Sequence, residues 1–369
     1  FKQKTAYEML RSLVGSEMCI RDRFMRMLPK SFVTLLLTYP FTMFLVGLFL
    51  SFYMPETFDL LQGMLLGAMV AGTSTVTTVS ILKTLEQFKV DVENVKTLLL
   101  LESVLTDPVG IITTITLIRM IMLPETSLFE GVRNLFLSFS NSLIIGSVCG
   151  FSWAWVLDRL KEHKFNYILT LAVVFMIYLI SEEIGGEGSG ALAILLFGLV
   201  TTNYEYLAKR LEVKRIFKIN KSQLRAFHEE ITFLMKSFFF VYIGLIVSVS
   251  PSQIVSGLIV SLIVLVERQF AGRLSGILLK LNKLESTIIE YTCASGLPAL
   301  IMSQLPLIYD PQRLFFKHPE IYPNICFIVV IVSVLVGAFI TPSVVLRATR
   351  QRRESQIFPD FPQKQVKDT

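Results

Sequence analysis

The chain has 369 residues, of which 53% are hydrophobic and only 17% charged, and its mean hydropathy is +0.60. That balance belongs to an integral membrane protein and excludes an ordinary soluble domain. The formal charge of +6 does not point to nucleic acid, because the basic residues fall between the apolar runs. Cys19, Cys149, Cys293 and Cys326 have neither metal-ligand spacing nor the pattern of a disulfide framework. His228-Glu229-Glu230 begins like a zinc-protease helix, but Thr232 breaks the HExxH pattern.

In chain order, residues 1–23 contain LRSLVGSEMCIRDR, which looks like a translated sequencing adapter and is set aside from fold reasoning. On that reading the natural N-terminus is missing. Hydropathy then predicts ten spans, at 32–50, 60–82, 97–118, 134–157, 166–181, 188–203, 231–248, 254–279, 287–308 and 323–345. Most linkers are short, so residues 24–345 are expected to form one all-α transmembrane bundle. The connection 204–230 is basic and polar, as suits a surface helix, and 346–369 reads as a basic cytoplasmic tail. With the start of the first span inside, the inner segments hold 23 Lys and Arg. The outer loops hold four: Arg119, Arg133, Arg313 and Lys317. This asymmetry is the positive-inside rule, and shifting the span count by one would scramble it.

Two stretches carry chemistry. ESVLTDP, from Glu102 to Pro108, puts two carboxylates and two hydroxyls into an apolar run long enough to cross a bilayer. An ionised Asp at membrane depth costs roughly 2.5–3.5 kcal/mol on insertion scales, so Asp107 reads as an ion or proton site; the bland alternative is a helix–helix hydrogen bond. GAMVAGTSTVTTVSIL, 67–82, has Gly72 followed by Thr73, Ser74, Thr75, Thr77 and Thr78, hydroxyls that suit plain helix packing or a cage of hard oxygens around a cation. A second interruption is expected in CASGLPAL, 293–300, at Gly296 and Pro298. Two interrupted spans in distant parts of a chain point to a transporter's midplane site. Arg268, midway along its span, needs an anionic partner, for which Glu102, Asp107 and Glu267 are the candidates. Gly185 to Gly190 reads as a tight outer turn.

In order and spacing, GAMVAGTSTVTT, ESVLTDP, GSGALAILLFGLVTTN, FHEEITFLMKSFFFVYIGL, ERQFAGRL and SGLPALIMSQLP resemble the monovalent cation:proton antiporters of the sodium/proton exchanger superfamily, prokaryotic and archaeal branch. The resemblance implies an inverted-repeat helical bundle with two interrupted, crossed helices, about thirteen helices in all, assembled as a homodimer. It implies that Asp107 binds the cation and the proton, that Ser103 and Thr73 are further ligands, and that Glu102 pairs with Arg268 as a structural ion pair. Ser74 and Thr75 stand where many relatives have Asp-Pro, Thr106 where they have Asn, and Ser295 where several have Arg. The loss of that Arg together with the first-helix Asp has the form of a paired charge deletion.

The expected function is therefore secondary transport, with Na⁺ (or K⁺ or Li⁺) exchanged for protons by competition at Asp107. One available carboxylate makes the exchange electroneutral. A channel or a non-transporting sensor with the same fold is the alternative. No nucleophile–base or metal constellation lies within the spans, so neither an enzyme nor a cofactor is expected.

Overall fold

Each apolar run becomes a helix because a backbone without water must satisfy its own hydrogen bonds. The computed structural model describes residues 17–357, apart from 89, 91, 124–127, 161–165, 187, 211–220 and 294. The start of the adapter-like stretch, part of the basic connection and the end of the tail therefore lie outside the described residues.

Helix α1 (Glu17–Tyr53) begins inside the stretch 1–23 and runs through Pro29 and Pro40. Asp59 starts α2 (Leu60–Val70) with a reciprocal cap: it accepts the Gln62 N–H at 2.7 Å, and Gln62 Oε1 accepts the Asp59 N–H at 3.2 Å. After a break, α3 (Thr75–Gln87) continues at a 46° bend. Helix α4 (Glu93–Met122) carries Asp107 and contains Pro108. Helices α5 (Leu128–Arg159), α6 (Asn166–Gly185) and α7 (Ser189–Thr202) pack on one another around Trp153, Ile177 and Phe197. They are followed by α8 (Tyr204–Arg210), α9 (Lys221–Ile246) and α10 (Pro251–Leu278), the last capped by Ser250 and Gln253. Helix α11 (Lys283–Tyr291) ends at a second break, beyond which come α12 (Leu297–Met302) and α13 (Leu305–Tyr309). Helix α14 (Ile321–Leu335) passes through a π-helical turn at Val336–Ile340 into α15 (Thr341–Ile357).

All ten predicted stretches lie on these helices, but ten full crossings do not follow. Among the described residues six helices are long and apolar enough to span a bilayer, or seven with α2 and α3 as one bent span. The stretches 188–203, 231–248 and 287–308 reduce to the shorter apolar helices Ser189–Thr202, Ser237–Ile246 and Leu297–Tyr309. The reasons are local. Gly188, with φ +87°, bounds α7, the first half of α9 is polar, and the third stretch is divided because α11 ends at Tyr291 and α12 begins at Leu297.

The turn before α7 is closed by Glu182, whose carboxylate accepts the N–H groups of Gly188 at 2.8 Å and Gly190 at 2.9 Å. The main core lies between α1, α2, α10 and α14, around Val46, Leu65, Val260 and Ile325. Between membrane helices the driving force is close packing rather than release of water, so small residues line the contact. A Cβ on Gly63 would stand 2.7 Å from the Gly47 carbonyl oxygen, and α1 and α2 approach this closely only because it is absent.

Candidate functional site

The two breaks meet. A Cβ on Gly296 would lie 2.5 Å from the Ser74 Cβ, so the second interruption presses its bare backbone against the first. Each break frees backbone groups that would be costly in a bilayer interior, and hydroxyls from other elements satisfy them. Ser295 Oγ donates to the Val70 carbonyl at 2.8 Å, and the Ser295 N–H donates to Ser333 Oγ at 3.1 Å. Thr341 Oγ1, directly after the π-helical turn, donates to the Tyr291 carbonyl at the end of α11 at 2.6 Å.

Helix α4 passes beside this meeting point. Fully buried Ser103 donates its hydroxyl to the freed Thr73 carbonyl at 2.5 Å. Asp107 is half-buried and four residues further along α4, which puts it on the same face one turn beyond Ser103. Thr106 turns back to the Ser103 carbonyl at 2.9 Å. Thr73 is 7% exposed, and its Oγ1 is buried with no hydrogen-bond partner among the described residues. A buried hydroxyl left over beside a freed carbonyl fits a third participant such as a dehydrated cation.

The structure thus joins Ser103 directly to Thr73 and puts Asp107 on their side of α4. Ser74 has another task. It caps α3, accepting the Thr77 N–H at 3.4 Å and the Thr77 hydroxyl at 3.3 Å. Thr75 opens α3, half-buried.

Arg268 finds its anion in Glu102. Nη1 bonds Oε1, Nη2 donates to Oε2 at 2.9 Å, and Nε donates to the Ile289 carbonyl at 3.0 Å. The pair ties α4 and α10 to the end of α11, one residue before Ser103, and engages both carboxylate oxygens of Glu102.

A family model described as "Sodium/hydrogen exchanger, transmembrane" matches residues 13–346. The chain belongs to this exchanger family. Among relatives, it is 26% identical over 285 residues to the K(+)/H(+) antiporter NhaP of Alkalimonas amylolytica, covering 74% of this chain and 45% of that protein. It is 27% identical over 299 residues to NhaP2 of Shewanella sp. (strain ANA-3), named a K(+)/H(+) antiporter, covering 77% and 47%. A probable Na(+)/H(+) antiporter 2 of Methanocaldococcus jannaschii is 24% identical over 194 residues, 51% of this chain and 43% of that one. The chain spans about half the length of the curated relatives it matches. The solved structure of the sodium proton antiporter MjNhaP1 from M. jannaschii at pH 8 superposes with a TM-score of 0.71, over 90% of this chain and 80% of that one, at 18% identity. That likeness establishes the exchanger fold.

Within the exchanger family frame, the departures at Ser74 and Ser295 come into one place, since Ser295 precedes Gly296 and Gly296 abuts Ser74. Two ties escaped the sequence. Arg273 Nε pairs with Glu290 Oε2 at 3.3 Å, and the Thr42 hydroxyl donates to Glu267 Oε2 at 2.6 Å. Glu267, one of the candidate partners for Arg268, takes none of its hydrogen bonds. The one available signal was spacing: Glu267 and Arg268 are adjacent and so face about 100° apart on their helix.

Proposed function

We propose that the chain is the exchange core of a cation/proton antiporter, with Asp107 holding either a proton or a monovalent cation, Na⁺ first, K⁺ or Li⁺ otherwise. The observation that carries this reading is the Ser103–Thr73 bond, which sets the Asp107 face of α4 against a broken helix beside an unpartnered hydroxyl. Ser103 and the Thr73 hydroxyl would complete the oxygen set around the cation, while Ser74 and Thr75 shape the break. Proton and cation contend for the same carboxylate, so loading one expels the other, and the two half-helices exchange the site between the membrane's faces. The relatives' names support antiport and divide over K⁺ and Na⁺.

Glu102 is bound to Arg268, which leaves one carboxylate for exchange and favours one proton per cation. Charge asymmetry supports a cytoplasmic C-terminus, and the family resemblance supports a homodimer in the bilayer. The decisive experiment is cation-dependent proton flux in liposomes, run with each cation against a pH gradient. Asp107→Asn should abolish the flux while the protein remains folded and inserted. Undiminished flux in that variant would remove Asp107 from the mechanism.

A further inference from the structure

Glu267 is 2% exposed on α10 and belongs to neither the cation site nor the central ion pair. One of its oxygens, Oε2, meets the Thr42 hydroxyl of α1 at 2.6 Å. The other, Oε1, is buried without a hydrogen-bond partner among the described residues. Glu267 is one of the residues that line a groove of about 700 Å³ between α1 and α10, with Phe41, Leu45, Phe49, Ile263 and Phe270. Phe52 and Val266, on its rim, are 78% and 58% exposed, so the groove opens on the apolar outer surface where acyl chains lie.

The titratable groups around Glu267 are few. Arg268 is its neighbour on α10 and gives its bonds to Glu102 of α4 and to the Ile289 carbonyl. The Cys293 thiol, between α11 and α12, lies 4.0 Å from the Val264 carbonyl of α10. On α1, the Tyr39 hydroxyl is turned away to the Ala68 carbonyl at 3.0 Å. An ionised carboxylate there would leave a charged oxygen unpaired against hydrocarbon, whereas a carboxylic acid leaves only a weak acceptor.

We infer that Glu267 is a second proton-binding site, separate from the cation site and buried beside a groove that opens to the lipid phase. With the proton on Oε2, the short contact to Thr42 persists and only its donor changes, from the Thr42 hydroxyl to the acid. The site takes a proton and not Na⁺ or K⁺, because a single hydroxyl oxygen in apolar walls offers no cage for a dehydrated cation. Its proton is accordingly not traded for a cation and adds nothing to the exchange ratio.

The test uses dicyclohexylcarbodiimide, an apolar reagent that attacks protonated carboxyls from the lipid phase. The acid proton passes to a carbodiimide nitrogen, the carboxylate oxygen adds to the central carbon, and no group leaves. In the full chain in liposomes, mass spectrometry should find an adduct on Glu267 that disappears as the pH is raised. The adduct should be unaffected by Na⁺ or K⁺, persist in Asp107→Asn, and be missing at that position in Glu267→Gln. An adduct protected by either cation, or lost in Asp107→Asn, would assign Glu267 to the cation path and overturn the inference. If no carboxyl reacts, infrared difference spectra decide. A protonated-carboxyl band present in the wild type and missing in Glu267→Gln supports the site, and its absence from the wild type overturns it.

Discussion

Glu102→Gln strands the Arg268 guanidinium inside the bundle. The two side chains are only 1% and 3% exposed, so water does little to relieve the loss of the anion. Removing one partner of such a pair costs about 3–5 kcal/mol. Gln keeps one acceptor oxygen, which argues for the lower end, about 3 kcal/mol, or roughly two powers of ten in the folded-to-unfolded ratio. Arg268→Met has a second cost, because the Ile289 carbonyl loses the Nε bond at 3.0 Å. The double variant Glu102→Gln/Arg268→Met removes both charges and keeps that stranded carbonyl and a neutral buried amide, about 1–3 kcal/mol each. A double-mutant cycle on detergent-purified protein, read as the folded fraction against temperature, should give a coupling of about 3 kcal/mol or more, because the charge cost of each single variant is absent from the double one. A double variant no more stable than the worse single variant would refute the reasoning, because the two charges would then not be sustaining each other.

Gly296→Ala should cost about 1–3 kcal/mol by overpacking and depress exchange, since the new methyl meets Ser74 at 2.5 Å. Adding Ser74→Gly should restore part of both, and failure of that rescue would argue against the contact. Exchange in liposomes should not follow an imposed potassium–valinomycin potential; a voltage-dependent rate or end point would require a second titrating acid. Asp310 lies outside the spans and organises the turn before α14. Its carboxylate accepts the N–H groups of Leu314 at 3.0 Å, Phe315 at 2.7 Å and Phe316 at 2.8 Å. Burial pushes its pKa up, but these N–H groups outweigh that and hold it below the ordinary aspartate value. A depressed carboxyl stabilises fully above the unfolded value of about 3.9 and loses that contribution as pH falls through the folded one. Asp310→Asn should therefore weaken protection of 310–316 in hydrogen exchange at neutral pH and flatten its loss on acidification; an unchanged pH profile would discount the carboxylate.

Hydropathy located the apolar helices, because long apolar composition survives any tertiary arrangement, but not the polar α8 or the end of α15 beyond residue 345. Gly72, Gly296 and Pro298 marked both breaks for the same local reason. The extent of a crossing was less legible. Residues 287–308 read as one span, yet one helix ends at Tyr291 and the next begins at Leu297, and between them Ser295 is drawn to Val70 by a bond 225 residues long in sequence. Such side-chain-to-backbone bonds depend on how two helices are rotated against each other, and composition does not record rotation. The Glu102–Arg268 pair was legible through family resemblance, whereas Thr42–Glu267 and Arg273–Glu290 follow from helix contacts that no motif marks. At the candidate site, Ser103 and Thr73 could be anticipated as neighbours. Ser74's engagement as a helix cap could not, since a serine after a glycine serves packing, capping or coordination equally well.

The meeting of the two breaks is electrically neutral: hydroxyls of Ser295, Ser103 and Thr341 hold the loose carbonyls, and Ser74 faces Gly296 with no charge on either side. That neutrality constrains how such a centre can change by descent. Ser74→Asp alone would plant an unmatched anion at membrane depth, and Ser295→Arg alone would plant an unmatched cation and release the Val70 carbonyl. Either intermediate carries a desolvated lone charge, so the charged and uncharged forms are neighbours in sequence but separated by a poorly folding step. Lineages of this fold should therefore hold both charges or neither, and the uncharged form, once reached, is hard to leave.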